Sequence, residues 1–457
     1  MEAVKQSLEY FENNKERMTE EYLNILRIPS VSTNPENAAD MKRTAEFLAN
    51  YFKKIGVEKV EIFPTPLHPI LFAEKKSNKP GAKTLLVYGH YDVQPVDPIE
   101  EWQSDPFDPT FRGDYLFARG ASDMKGQVMT SVFALESALQ SGDLPINIKF
   151  ILEGEEEIGS PSLESFIVDH KDLLACDMIL NPDAGMVGKD KPTIVYGLRG
   201  MVYFEVRIDG PRVDLHSGLW GGNIANPANV LAEMIGKLHD ENGAVAIPGF
   251  YDQVPVMTAD ERARIATAPY SEAEMLEITG SPMLYGEAGY TPLERQGARP
   301  TLDVNGIYSG FIGDGAKTII PAYAKAKISC RLVPNMDPMR TYELVRDYIL
   351  SIIPPTVKAK VFLHSAGPAY LADDAPGVEN FVDALTTVWN NPITYKREGG
   401  SVPVATVMQR ELGVKSILTG FGLPDDAIHS PNERMYYPNW LKGIRAMIRF
   451  YLSFGEN

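Results

Sequence analysis

Apolar positions along this chain switch between two periodicities. From Tyr22 to Leu26 and from Met41 to Ile55 they fall at helical spacing, and VEKVEIFPT then alternates like a strand. Three apolar, β-rich runs follow: TLLVYGHYD, INIKFILEG and CDMILNPD. Between the first two, SDMKGQVMTSVFALESALQSG reads as a helix that Ser122 or Asp123 would cap and Gly142 would stop. Strands alternating with helices predict an α/β fold with a mostly parallel sheet and helices on both faces.

From about Arg199 the rhythm changes. MVYFEVRIDG alternates with period two, PANVLAEMIGKLHD reads as a helix, and AYAKAKISCRLVP, DPMRTYELVRDYILSII and VKAKVFLHS complete a β-α-β-α-β order. That order suits a smaller α+β unit of antiparallel character. Within it, residues 242–300 are rich in Pro, Gly and Tyr, with one helical stretch at 259–265, and read as an ordered insertion. After Gly367, VENFVDALTTVWN, VKSILTGF and WLKGIRAMIRFYLSF return to helix, strand and helix. The expected organisation is an α/β domain in two parts, 1–198 and 368–457, interrupted by an inserted α+β domain over 199–367.

Length supports this division, because 457 residues exceed what one core normally serves. The charge balance of 44 Lys+Arg against 61 Asp+Glu, a net −17, opposes binding to nucleic acid or an anionic membrane. No apolar run approaches the roughly 20 residues that span a bilayer. The opening MEAVKQSLEYFENNKERM reads as a charged helix without the apolar core of a secretory signal. Only two cysteines occur, Cys176 and Cys330, and buried thiols in a reducing cytoplasm are the expected state.

The chemistry lies at the strand ends. In open α/β sheets ligands bind outside the carboxyl ends of the strands. His90 and Asp92 of GHYD, Asp123 of GASDMKG, Glu156 and Glu157 of GEEEIGS and Asp183 of NPDAG should therefore converge, with His429 of AIHSPNE joining from downstream. Taken singly, each has a plain reading: a core histidine, a helix cap, a solvated acidic loop, a turn aspartate. Together, so many carboxylates in one crevice require cations. A divalent pair supplies about four positive charges, and ligation by histidine and carboxylate suits zinc, with manganese or cobalt as alternatives. The three glutamates of ILEGEEEIGS then make sense, since neighbours on extended backbone point in opposite directions. One can hold metal while its neighbour moves a proton for the substrate, and Glu155 is left as a solvated or helix-capping residue.

Eight motifs in order carry a resemblance: GHYDVQP, ARGASDMKG, LEGEEEIGS, NPDAG, DLHSG, RLVPN, EGGSVP and AIHSPNE. The chain resembles the di-zinc amidohydrolase and metallopeptidase family of cytosolic non-specific dipeptidases, carnosinases, carboxypeptidase G, aminoacylases and desuccinylases. It looks most like the dipeptidase and carnosinase branch. The resemblance implies that His90, Asp123 and Asp183 hold one zinc, and that Asp123, Glu157 and His429 hold the other. It implies Glu156 as general acid/base for a zinc-bound hydroxide, Asp92 as the carboxylate orienting His90, and often a cis peptide after Asp123. In the inserted lid and dimerisation domain, His216 would reach the neighbouring subunit's oxyanion in a homodimer. Arg331 would grip a terminal carboxylate, and Thr318 and the Gly399-Gly400-Ser401 turn would contact the substrate backbone. The implied reaction is hydrolysis of dipeptides or very short peptides with a free C-terminal carboxylate, in the cytoplasm. An N-acyl amino acid deacylase or desuccinylase is the alternative, and a non-catalytic binding protein on the same fold a remoter one.

Overall fold

The computed structural model describes residues 2–142, 144–268, 271–372, 375–399 and 403–455. The chain forms two compact units. The first is Met1–Tyr196 with Ala372–Tyr395 and Pro403–Asn457; the second is Gly197–Leu371 with Lys396–Val402.

The first unit is built on a sheet of Lys59–Phe63, Ile70–Lys75, Asn147–Glu153, Thr84–His90, Met178–Asn181, Ser416–Leu418 and Thr193–Leu198, in that spatial order. The four strands from Asn147–Glu153 to Ser416–Leu418 run parallel, and their neighbours on either side are antiparallel. Parallel central strands are covered on both faces, and Thr84–His90 and Asn147–Glu153 are buried almost throughout; even Lys149 within the second is buried, its Nζ donating to the Leu173 and Ala175 carbonyls at 2.8 Å. Ala38–Lys54 packs on the antiparallel edge, Lys125–Leu139 on the strand Thr84–His90 and Pro403–Leu412 on Ser416–Leu418. Glu2–Leu26 and Tyr437–Ser453 in turn pack on Lys125–Leu139. Trp440 stacks on Tyr22 with ring centroids 4.7 Å apart and meets the edge of Phe133. Glu136, buried in that helix layer, is neutralised by Arg17 at 2.5 Å and also accepts from the hydroxyls of Tyr10 and Tyr51.

The helix after Gly120 departs from expectation at its start. It runs Lys125–Leu139, and neither Ser122 nor Asp123 caps it. The Ser122 hydroxyl donates instead to Asp426 and the Asp123 carboxylate turns toward two histidines, so both are drawn into the site. The Asp123–Met124 peptide is cis.

The second unit carries an antiparallel sheet in the order Thr301–Ser309, Tyr323–Leu332, Gly200–Asp209, Lys358–Gly367. Along Gly200–Asp209 burial alternates residue by residue, and Val202, Phe204, Val206 and Ile208 point into a core shared with Val230, Leu231 and Met234 of Pro227–Gly236 and Val345 and Ile349 of Pro338–Ile352. Both helices begin with proline behind a capping residue, Asn226 and Asp337. The strand Thr301–Ser309 escapes the periodicity of the sequence because its register shifts between Val304 and Gly306, which breaks the period-two pattern, and because it is an edge strand. The described residues of 242–300 hold three helices, Ala259–Ile265, Glu272–Thr279 and Pro292–Ala298, rather than one. The latter two start with capping boxes, Ser271 with Glu274 and Thr291 with Glu294.

Candidate metal centre

His90 ends its strand fully buried, in register with Glu153. Its Nδ1 lies 3.1 Å from the backbone carbonyl of Asp92 and 3.4 Å from that residue's carboxylate. The Asp92 carboxylate also accepts the N–H groups of Glu156 at 3.3 Å and Glu157 at 3.0 Å, which ties the histidine loop to the glutamate loop. His90 Nε2 faces Asp123 Oδ1 at 3.2 Å and Asp183 Oδ1 at 3.7 Å, yet makes no aligned hydrogen bond. The other oxygen of Asp123 stands 2.9 Å from His429 Nε2, which is also 3.3 Å from Glu157 Oε2. One carboxylate thus presents one oxygen to each of two histidines, and each histidine has a second carboxylate of its own.

The three adjacent glutamates take three different environments. Glu155 is not solvated: it is 1% exposed. Its carboxylate accepts from the Thr65 hydroxyl (2.8 Å), the His68 amide (2.8 Å) and both the amide and hydroxyl of Ser162 (2.9 and 3.0 Å). Four donors replace the water it loses. Glu156 and Glu157 then enter a 3-10 turn, Glu156–Ile158, so that turn rather than an extended alternation separates their side chains. Glu157 also accepts from Gln94 Nε2 at 2.6 Å.

The protons follow the charge. Burial and the carboxylates of Asp183, Glu157 and Asp123 push the Glu156 carboxyl up to about 8, against the opposing pull of His90. Hydrogen bonds to Asp123 and Glu157 lift His429 to about 10. Burial would depress His90, but Asp123, Asp183 and Asp92 overcome it and hold its pKa well above the ordinary value. The cluster binds protons because its negative charge is uncompensated, and a cation answers the same need.

The sequence pattern of peptidase family M20/M25/M40 matches residues 86–453. The chain belongs to that family. It is 33% identical over 460 residues to the Cys-Gly metallodipeptidase dug1 of Schizosaccharomyces pombe, covering 97% of this chain and 96% of that protein. It is 32% identical over 403 residues to the Beta-Ala-His dipeptidase of Mus musculus, covering 86% and 81%. Among solved structures, an M20 family metallo-carboxypeptidase, Sso-CP2 from Sulfolobus solfataricus, superposes with a TM-score of 0.85 at 32% identity over 96% of this chain and 99% of that one.

Membership makes this chain a metallopeptidase and implies divalent metal. The donor set fits such an ion. Ligand atoms of His90, Asp123 and Glu157 lie within 4.8 Å of one another, and the buried Nε2 of His90, which has no aligned hydrogen bond and has carboxylates converging beside it, would offer a lone pair once a cation displaced its proton. No helix among the described residues of this M20 peptidase is long and apolar enough to cross a membrane.

The remaining expected site residues belong to the second unit. His216 pairs with Ile319 in a two-stranded ribbon, and the Ser217 amide donates to the Thr318 carbonyl at 3.1 Å, so His216 and Thr318 lie together. His216 Nδ1 accepts from the Gly218 amide at 3.0 Å, which leaves the neutral ring's proton on Nε2. Arg331 lies on Tyr323–Leu332 opposite Met201. Arg199 Nε donates to the Gly399 carbonyl at 3.1 Å, and burial together with the charge of Arg331 lowers the Arg199 pKa to about 10. Gly400 and Ser401 lie outside the described residues.

Sequence reading missed Gln94, Glu153, Asp426 and Glu433. All four sit in or beside quoted motifs, and only their partners reveal their roles. Glu153 is 1% exposed, and burial pushes its carboxyl up to about 8 even though Tyr88 and Ser160 donate to it. The folded state therefore holds this proton more tightly than the unfolded chain, whose ordinary value is 4.5. Stability from this group is present below pH 4.5 and is lost as pH rises toward about 8. The loss amounts to at most about 1.4 kcal/mol per pH unit. Chelated Glu153→Gln should accordingly gain stability over the chelated parent with rising pH. Urea unfolding at pH 5, 6.5 and 8 checks this, and a stability difference that does not change with pH would count against a protonated Glu153.

Proposed function

We propose that this protein hydrolyses dipeptides, or very short peptides with a free C-terminal carboxylate, using two divalent ions of which zinc is the first choice and manganese or cobalt the alternatives. The observation that carries the reading is the Asp123 carboxylate, with one oxygen 3.2 Å from His90 Nε2 and the other 2.9 Å from His429 Nε2. His90, Asp123 and Asp183 would hold one ion, and Asp123, Glu157 and His429 the other, with Asp92 and Gln94 orienting ligands from behind. When bound, the ions supply Lewis acidity toward the scissile carbonyl and acidify a water molecule.

The chain's own groups do the rest. Glu156, beside the ligands, accepts a proton from water and returns it to the leaving nitrogen. Burial first, and then the carboxylates of Asp183, Glu157 and Asp123, raise its pKa, and neutralisation of those carboxylates would lower it toward a working range. His216, with its proton on Nε2, donates toward developing oxyanion charge. Arg331 offers a bidentate fork to the terminal carboxylate, and Thr318 and Gly399 contact the substrate backbone.

A homodimer in which His216 serves the partner's site belongs to this reading. Support comes from the second unit, whose edge strand Thr301–Ser309 and nearby loop expose Ile307, Tyr308, Phe311 and Ile312, an apolar edge suited to a second copy. A cytoplasmic setting is supported by two unpaired cysteines, Cys330 being fully buried.

The test is a substrate panel after chelation and reloading with zinc, manganese or cobalt. It holds dipeptides (a β-alanyl and a cysteinyl-glycine one included), tripeptides, and N-acetyl- and N-succinyl-amino acids. Turnover concentrated in dipeptides is expected. Turnover of acylated amino acids alone would replace this reading with that of a deacylase using the same residues.

A further inference from the structure

Glu433 touches no expected ligand through that ligand's side chain, yet it is fully buried and joins two of the loops that build the site. Its Oε1 accepts the backbone N–H of Ser122 at 2.9 Å and of Asp123 at 3.0 Å. Its Oε2 accepts the N–H of Gly120 at 2.9 Å and Nη1 of Arg119 at 2.9 Å. Arg119 is itself 1% exposed and spends Nη2 on the Pro95 carbonyl at 2.8 Å. The loop carrying Asp123 is therefore wrapped around a single carboxylate. Four N–H donors, one of them cationic, set its position.

That carboxylate comes from the loop of His429, four residues past the histidine. Three residues before it, Asp426 accepts the Ser122 hydroxyl at 3.1 Å and the Leu423 amide at 2.7 Å. His429 is thus bracketed by two acidic residues that both fasten onto the Ser122–Asp123 segment. The bracket is needed, because this loop holds Ala427, His429 and Asn432 at positive φ (55°, 60° and 63°), which side-chain-bearing residues avoid unless their surroundings impose it. The two histidines differ here. His90 is buried at a strand end with Asp92 behind its ring, whereas the His429 side chain is 54% exposed on its loop.

We infer that Glu433 is a positioning residue of the metal centre, setting the Asp123 loop against the His429 loop so that the shared carboxylate faces both histidines. The inference rests on the two-ion reading above. It assigns the clamp unequal effects: the ion held by Asp123, Glu157 and His429 depends on it, and the ion held by His90 depends on it far less.

The experiment titrates chelated protein with cobalt(II), following bound metal by equilibrium dialysis and the visible absorption of each equivalent. It compares the parent, Glu433→Gln and Ser122→Ala. The glutamine keeps the volume and one acceptor but sets an NH2 group against one of the two donor pairs. The expected result for Glu433→Gln is one equivalent bound as in the parent, a second weakened about 10–100-fold, and an altered spectrum for that second ion alone. Ser122→Ala removes only the Asp426 link, leaves the buried charge in place, and shifts the second equivalent in the same direction by less. It decides the matter if the glutamine variant does not fold. Unchanged affinity for both equivalents overturns the inference, and so does equal weakening of both, which marks a general loosening of the fold. A parent that binds fewer than two equivalents overturns the two-ion reading itself.

Discussion

Glu156→Gln lowers kcat for the preferred dipeptide by about 10²–10⁴-fold, the usual worth of a positioned proton carrier. Metal content stays at the parent's level. Glutamine has the same shape and hydrogen-bonding reach but cannot take a proton from water or return one to nitrogen. The substitution also removes a carboxyl that burial and three neighbouring carboxylates press up to about 8, so the empty site should lose strain rather than gain it. KM should change much less than kcat, because the group acts on the proton and not on the substrate's carboxylate. Steady-state kinetics with metal analysis on the same preparation measures this. Near-normal turnover with full metal would remove Glu156 from the proposed mechanism and leave the proton to another group.

Mixing two inactive variants should restore activity. His216→Ala loses the proposed oxyanion donor, an effect of about 10²–10³-fold in kcat. Glu156→Gln loses the proton carrier. If His216 serves the partner's site, a mixed dimer holds one intact site, assembled from the Glu156 of one subunit and the His216 of the other. Its second site lacks both. Random exchange of equal amounts makes half of the dimers mixed, so about one quarter of the parent's activity per subunit should return. Exchange is confirmed independently by tagging the two variants differently. Confirmed mixed dimers without recovered turnover would place His216 in its own subunit's chemistry or outside the reaction.

The parallel sheet was legible because its central strands are buried on both faces. Thr84–His90 and Asn147–Glu153 are short, largely apolar runs buried nearly throughout, and the helices between strands announce themselves by spacing. The antiparallel sheet was legible for the opposite reason: Gly200–Asp209 alternates buried and half-buried positions along its length. Where a bulge broke that alternation, in Thr301–Ser309, the strand was invisible. Two capped helices in 242–300 were missed although their capping boxes stand in the sequence, since Glu272–Thr279 buries no residue and Pro292–Ala298 buries only Glu294, Gly297 and Ala298, so neither shows an apolar stripe.

At the site, the sequence by itself determined the inventory of donors and the strand ends from which they project, because both follow from residue type and period. It could not determine what each carboxylate does. Glu153, Glu155, Glu156 and Glu157 lie within five positions and are chemically alike, and no local rule separates them. Tertiary structure did so by deciding what surrounds each one. It gives near-complete burial with two hydroxyl donors to Glu153, four hydrogen-bond donors to Glu155, a crowd of negative charge to Glu156, and a histidine with a glutamine to Glu157. The same holds for Glu433, whose partners lie more than 300 positions away in the chain. Desolvation and hydrogen bonding act at distances of a few ångströms, and only folding decides which groups come that close.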